Sequence, residues 1–127
     1  MHPKEIEKVV SLEPLERYKY FIKKIADREF LFTLINENGE YATSFVDDNE
    51  LFPLWSDKDY VELCKVNGWE NYSIKEISLE DLGGDLINLI AQSNYLLNIF
   101  PVYDKTGFIV DLAEFTRDLS QELENYE

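Results

Sequence analysis

Carboxylates are the most numerous side chains in this chain that could do chemistry. Asp47, Asp48 and Glu50 form the tightest group, and Asp57 and Asp59 follow a few residues on. Acids converging in a pocket can hydrolyse a bond, one as general acid and one as base, or hold a hard cation. The spacing does not fit a calcium loop, because the fixed glycine and the terminal glutamate are missing. A solvated turn followed by a helix N-terminus accounts for both groups. His2 is the sole histidine, so a two-histidine zinc site and a Ser-His-Asp triad are excluded. Cys64, the sole cysteine, has no histidine base in the body of the chain, and its helical spacing from Tyr60 makes it core filling rather than a nucleophile. Gly83-Gly84 lacks the preceding strand and the following Lys-Ser/Thr of a phosphate-binding loop. The sequence therefore names no catalytic residue, no metal ligand set and no cofactor.

Aromatic residues are the other candidates. Trp55, Trp69, Tyr72 and Tyr103 fall at expected strand ends and loops. Exposed together they would form a contact surface, since Trp and Tyr anchor protein interfaces; enclosed, they would cap an open end of the core. The expected binding surface is Trp55, Trp69 and Tyr103 with the neighbouring acids Asp57 and Asp59.

These residues must be positioned by the elements around Leu51-Phe52-Pro53-Leu54-Trp55-Ser56-Asp57-Lys58-Asp59. The first half alternates as a strand. Pro53 has no N–H for a ladder, which predicts an edge strand or a stop. Ser56 and Asp59 predict a capping box that starts a helix running to about Lys65. A cousin, Ile99-Phe100-Pro101-Val102-Tyr103, recurs in a segment expected to be a strand over 95–103. The two are predicted to share one sheet and to hand their terminal aromatics to a common rim.

The rest of the chain supplies partners for those strands. A short helix is expected over 4–11 and an amphipathic one over 15–26, with Leu15, Tyr18, Ile22, Ile25 and Ala26 on its buried face and Pro14 in its first turn. Phe30 to Ile35 has strand composition, and Asn38-Gly39 supplies a tight turn. Tyr41 to Val46 returns, which predicts a three-strand meander ending at Trp55. Asn67-Gly68 predicts the end of the third helix, and 72–77 a short extended segment. Ser78 to Asp81 starts another helix, with Leu79, Leu82, Leu86, Leu89 and Ile90 in phase to about Ser93. The glycine pair within it predicts a kink or a closely packed backbone. Residues 104–107 form a turn, 108–110 a strand, and Asp111 with Glu114 caps a last helix bearing Leu112, Phe115, Leu119, Leu123 and Tyr126. The fold class that follows is α+β: an antiparallel sheet, meander plus hairpin, with helices mainly on one face.

Bulk properties set the class of partner. A length of 127 residues with 45% hydrophobic content predicts one domain over 1–127, with residues 1–13 a helix free to fray. The net charge of −14 is uneven. Residues 1–28 carry seven Lys/Arg against five acids, or +2; the remainder carries five against 21, or −16. Such a body repels phosphate backbones, so direct nucleic-acid binding is disfavoured and a basic protein partner is attracted. No stretch is apolar enough for a membrane span and the N-terminus has no apolar signal region, which with a lone cysteine predicts a cytoplasmic protein.

At Phe52-Pro53-Leu54-Trp55, followed by Tyr60, Leu63-Cys64 and Trp69, the sequence resembles the bacterial domain-of-unknown-function family 2750. The resemblance continues through Tyr18-x-x-Phe21-x-x-Lys24, Ile99-Phe100-Pro101 and the closing acidic helix, and so covers nearly the whole chain from about Leu15. It departs at Ser56, where the family pattern has proline, and at Phe30 and Phe32, where it has more tryptophan. The resemblance implies a small bacterial cytoplasmic protein and supplies no activity and no catalytic residues. The leading expectation is a non-enzymatic protein-binding domain. An acidic inhibitor resembling an immunity protein or antitoxin, masking a basic toxin, is the second, and a carboxylate-dependent hydrolase using Asp47, Asp48 or Glu50 the third.

Overall fold

The computed structural model describes residues 2–65, 68–103 and 105–126. Helix α1 (Pro3–Val10) opens with proline in its first turn and is capped by His2, whose Nδ1 accepts from the Lys4 N–H. Helix α2 (Pro14–Arg28) follows. It buries Tyr18, Ile22, Ile25 and Ala26 as predicted, but Leu15 stays 45% exposed, and Arg17 and Phe21 are buried in addition. The helix stops at Glu29, whose φ of 67° turns the chain out of it.

Strand β1 (Phe30–Ile35) has the predicted limits. Its partner is not the one the sequence suggests. The Asn36–Glu40 turn closes through the Asn36 carboxamide, but the returning chain makes one bridge, Ile35 to Tyr41, before it leaves. β1 pairs instead along its full length with β4 (Ser73–Ser78), antiparallel, from Phe30↔Ser78 to Ile35↔Ser73. A six-residue register outweighs a single bridge, and Leu31 to Leu34 are buried throughout. The three-strand meander is therefore replaced by a hairpin of β2 (Ser44–Val46) and β3 (Asn49–Leu54), joined by Asp47 and Asp48. Asp47, at φ 56°, supplies the left-handed residue of that turn.

A second sheet has the order β2-β3-β5-β6, with β5 (Leu96–Ile99) and β6 (Phe108–Val110) antiparallel. β3 and β5, the two proline-bearing strands, do lie side by side, but in parallel, from Leu51↔Leu96 to Leu54↔Ile99. An all-antiparallel sheet was the expectation; residues 56–95 form the crossover that parallel strands need. Pro53 is the last residue but one of β3, which lies between β2 and β5 rather than at the sheet's edge. The Leu54 carbonyl accepts from Phe100 in the β5 chain, so strand alternation turns the Pro53 nitrogen to the other side. There β2 has already ended opposite Leu51, and β1 joins through the Phe32–Trp55 bridge and the Thr33 hydroxyl, which donates to the Pro53 carbonyl at 2.7 Å. The missing N–H falls in that gap.

The third helix, α3, is shorter and later than predicted: Lys58–Glu62, with Asp57 rather than Ser56 in the N-cap position and no side-chain capping bond. Asp57 is extended (φ −143°, ψ 146°), which moves the helix start one residue on, and the Ser56 hydroxyl donates to the Asp57 carboxylate instead. The predicted Asn67-Gly68 stop includes a residue outside the described ones. After β4, the Ser78 hydroxyl caps α4 (Leu79–Asp81) as predicted. A π-type turn (Leu82–Leu86) separates it from α5 (Ile87–Gln92). Gly84, at φ −91° and ψ −109°, makes the kink, and nothing packs within 4 Å of where a Cβ would stand on either glycine. Leu82, Leu86 and Ile90 face the core, whereas Leu89 does not. Helix α6 (Leu112–Leu123) is capped by Asp111 through the Glu114 N–H, as expected. It packs against α2, which in turn lies over β1, β5 and β6. The architecture is α+β.

Candidate functional site

The chain becomes unusual where it leaves β5. Phe100 has φ 62° and Tyr103 φ 54°, a left-handed backbone that a bulky side chain adopts at a cost of about 1–2 kcal/mol. The surroundings hold this geometry. The Phe100 N–H donates to the Leu54 carbonyl at 2.8 Å. Its own carbonyl accepts from Arg17 Nε at 3.3 Å, while Arg17 Nη1 reaches the carbonyls of Leu12 and Val10. Arg17 is buried with these backbone acceptors, and burial lowers its pKa. The Pro101 carbonyl takes two donors, Trp55 Nε1 at 2.8 Å and Cys64 Sγ at 3.0 Å. Gly107 closes the crossing: its N–H donates to the buried Asn98 side chain at 2.7 Å, and a Cβ there would lie 2.1 Å from the Ile99 carbonyl oxygen.

Beside this crossing opens a cleft of about 390 Å³. Ser44 and Phe45 of β2 line it, together with Trp69, Tyr103, Lys105 and Thr106, and Cys64 and Pro101 border it from the core. Tyr103 is 52% exposed and Phe45 70% exposed. The Trp69 ring stands edge-on to Trp55, 6.2 Å between centroids. Burial pushes the Cys64 thiol up to about 11, so it stays protonated and non-nucleophilic at neutral pH.

Residues 18–119 match the family described as a protein of unknown function, DUF2750. The chain belongs to that family. No curated protein matches the sequence. The DUF2750 region takes in both proline strands and every residue of the cleft, and begins one position after Arg17.

The structure divides the predicted binding residues of this DUF2750 protein between two places. Trp69 and Tyr103 share the cleft. Trp55 does not join them at a rim: it is fully buried, because its indole N–H is consumed by the Pro101 carbonyl and its ring is needed in the core. Asp57 and Asp59 lie in a different hollow, beside Arg28, Phe30 and Phe32. Asp57 is buried there and pairs with Arg28, with Lys24 Nζ 3.9 Å away. Lys24 also meets Glu5 at 3.6 Å, and Glu5 accepts from the Tyr20 hydroxyl at 2.8 Å. That hydrogen bond holds Glu5 below the usual carboxylate range. Burial raises Tyr20 and Tyr60, whose hydroxyls are 3.3 Å apart, so both remain protonated. This network ties α1 to α2 and α3.

Asp47 and Asp48 are exposed at the tip of the β2–β3 hairpin, and Glu50 accepts from the Thr43 hydroxyl at 2.7 Å. None of the three lines the cleft. Sequence reasoning missed Phe45, Arg17 and Asn98. In the expected meander Phe45 lies within the middle strand, and only the loss of its expected neighbour, β1, leaves it at an edge. Arg17 and Asn98 gave no signal, since their roles depend on carbonyls and N–H groups brought in by tertiary structure.

Proposed function

We propose that this DUF2750 protein is a non-enzymatic binding domain that takes an extended segment of a protein partner along β2 and into the adjoining cleft. The observation that carries the reading is Phe45, 70% exposed on the outer strand of a sheet and beside Trp69 and Tyr103. β2 pairs with β3 through Ser44↔Leu51 and Val46↔Asn49, and alternation turns the Phe45 N–H and C=O to the open edge. An edge strand beside aromatic pockets suits strand addition, in which main-chain hydrogen bonds supply affinity and the pocket selects side chains. The cytoplasm, and a bacterial one, is the setting that the lone unpaired Cys64 and the family resemblance favour. Panning a random peptide library on the intact protein tests this. Selected peptides should shift the amide resonances of Ser44 to Val46 and bind at least about tenfold more weakly to F45E or Y103A. No enrichment, or peptides indifferent to both changes, rejects the reading.

A second reading is the acidic inhibitor of a basic protein. A hollow of about 380 Å³ between β4 and the π-type turn gathers Glu76, Glu80, Asp81 and Asp85 around one lysine, Lys75. Charge of one sign in a concavity speeds encounter with an opposite surface. Low-salt pull-downs from the native cell should recover a basic protein that E80K/D85K loses; equal recovery with the variant removes this reading.

A further inference from the structure

The face formed by α2 and α6 carries a groove whose two walls differ in charge. A groove of about 430 Å³ runs between the two helices, floored by Leu15, Ile22 and Phe108. Its α2 wall is basic, with Lys19 and Lys23; its α6 wall is net acidic, with Glu114, Asp118 and Glu122, the first two also meeting the exposed Arg117 at 3.9 and 3.5 Å. The helices are antiparallel at matched heights. Tyr18 donates to Asp118 at 2.7 Å, and the Phe21 ring lies 6.2 Å from Phe115. One step further round, Lys19 stands level with Asp118 and Lys23 level with Glu114.

This pattern is self-complementary under a two-fold axis that runs along the groove in the plane of contact. That rotation exchanges the walls and keeps the heights, so α2 of one copy meets α6 of the other. Lys19 then faces Asp118 and Lys23 faces Glu114, twice over, while the two Leu15 floors are covered. The result is a four-helix layer, the packing that paired amphipathic helices favour. The same asymmetry is written along the chain, where residues 1–28 are +2 and the rest is −16. Within one copy Lys19 meets Glu16 at 3.6 Å, a half-exposed pair that is readily exchanged. Among the described residues Lys23 has no ionic partner within 4 Å.

We propose that the α2–α6 groove docks a second copy of this chain to form a two-fold dimer. Helices of 12 and 15 residues give a face only about 20 Å long, at the small end of specific interfaces, so the dimer is weak and reversible. The proposal is independent of the β2 cleft. Sedimentation velocity of the intact protein over a concentration series, near 0.15 M salt, is the test. The wild type should pass from monomer to dimer. K19E/K23E, whose walls are both acidic, and E114K/E122K, whose α6 wall keeps only Asp118 as an acid and turns the Lys23–Glu114 pair into a repulsion, should each raise the midpoint at least tenfold. Mixing the two variants in equal amounts should restore a dimer. Circular dichroism checks that each variant is folded. Should one not fold, zero-length cross-linking of mixed light and heavy-isotope wild type should join Lys23 to Glu114 between copies. A wild type monomeric throughout the series, a dimer that persists in both variants, or cross-links only within one copy overturns the proposal.

Discussion

Two stretches of nearly the same sequence end differently. Phe52-Pro53-Leu54-Trp55 stays a strand to its end and turns its indole into the core, whereas Ile99-Phe100-Pro101-Val102-Tyr103 breaks its strand at Phe100 and leaves Tyr103 half in solvent. Composition does not separate them, since both place an aromatic before and after a proline. What separates them is what each proline's neighbours must satisfy. Pro53 falls in a gap between two partner strands, so its missing N–H costs little and extended geometry continues. Phe100 is gripped from three sides, by Leu54, Arg17 and the backbone that Gly107 allows to approach, and the chain turns. A strained aromatic backbone persists only where the surroundings over-determine it.

The sharpest way to break this contrast is G107A. Its methyl would collide with backbone rather than with a movable side chain, and a loss of about 3 kcal/mol or more in denaturant unfolding is expected. If G107A is neutral, the crossing is not tightly held. R17M comes next. It leaves the Phe100 and Leu12 carbonyls without their donor while relieving the cost of a buried charge, for a net loss of about 2 kcal/mol. Comparable in size, but visible only at high pH, is the contribution of Cys64. Its folded pKa is raised by burial to about 11, so its stabilisation is whole below the unfolded thiol's pKa of about 8.5 and is lost as pH rises towards 11. Urea titrations from pH 8 to 11 should show a fall of up to about 2 kcal/mol that C64A lacks. The smallest effect should have the opposite sign. Y103N keeps an exposed side chain but suits left-handed backbone, and should raise stability by about 0.5 kcal/mol. If Y103N destabilises, the Tyr103 ring contributes packing that outweighs its strain.

Local signals in the sequence carried most of the element list. Pro14, Ser78 and Asp111 mark helix starts because a missing N–H, or an oxygen that accepts one, acts within a single turn. The Gly83-Gly84 kink was legible for the same reason. Pairing was not. Asn38-Gly39 promises a hairpin, and the turn does form, yet β1 finds a longer partner in β4, and no local rule weighs a bridge against a distant six-residue register. The parallel β3–β5 pair was hidden likewise, although the kinship of its two strands pointed to a shared sheet. Of the expected contact residues, Trp69 and Tyr103 come together because both follow elements that end beside the cleft. Trp55 goes inward because its ring N–H finds a carbonyl 46 residues away. Asp57 belongs with the N-terminal helices, a partnership set by Arg28 and Lys24 and not by proximity in the chain, and Asp59 lines the same hollow.

The pairing of Leu51 with Leu96 also bears on how the protein is made. As the nascent chain leaves the ribosome, β2 and β3 can form their hairpin at once, but Phe52 and Leu54 stay without a neighbour until everything up to Ile99 has been synthesised. Through that interval the edge that will receive β5 is open to any other chain in reach, and Pro53 does not guard it, because its nitrogen faces the opposite side of the strand; protection there must come from prompt docking of β5.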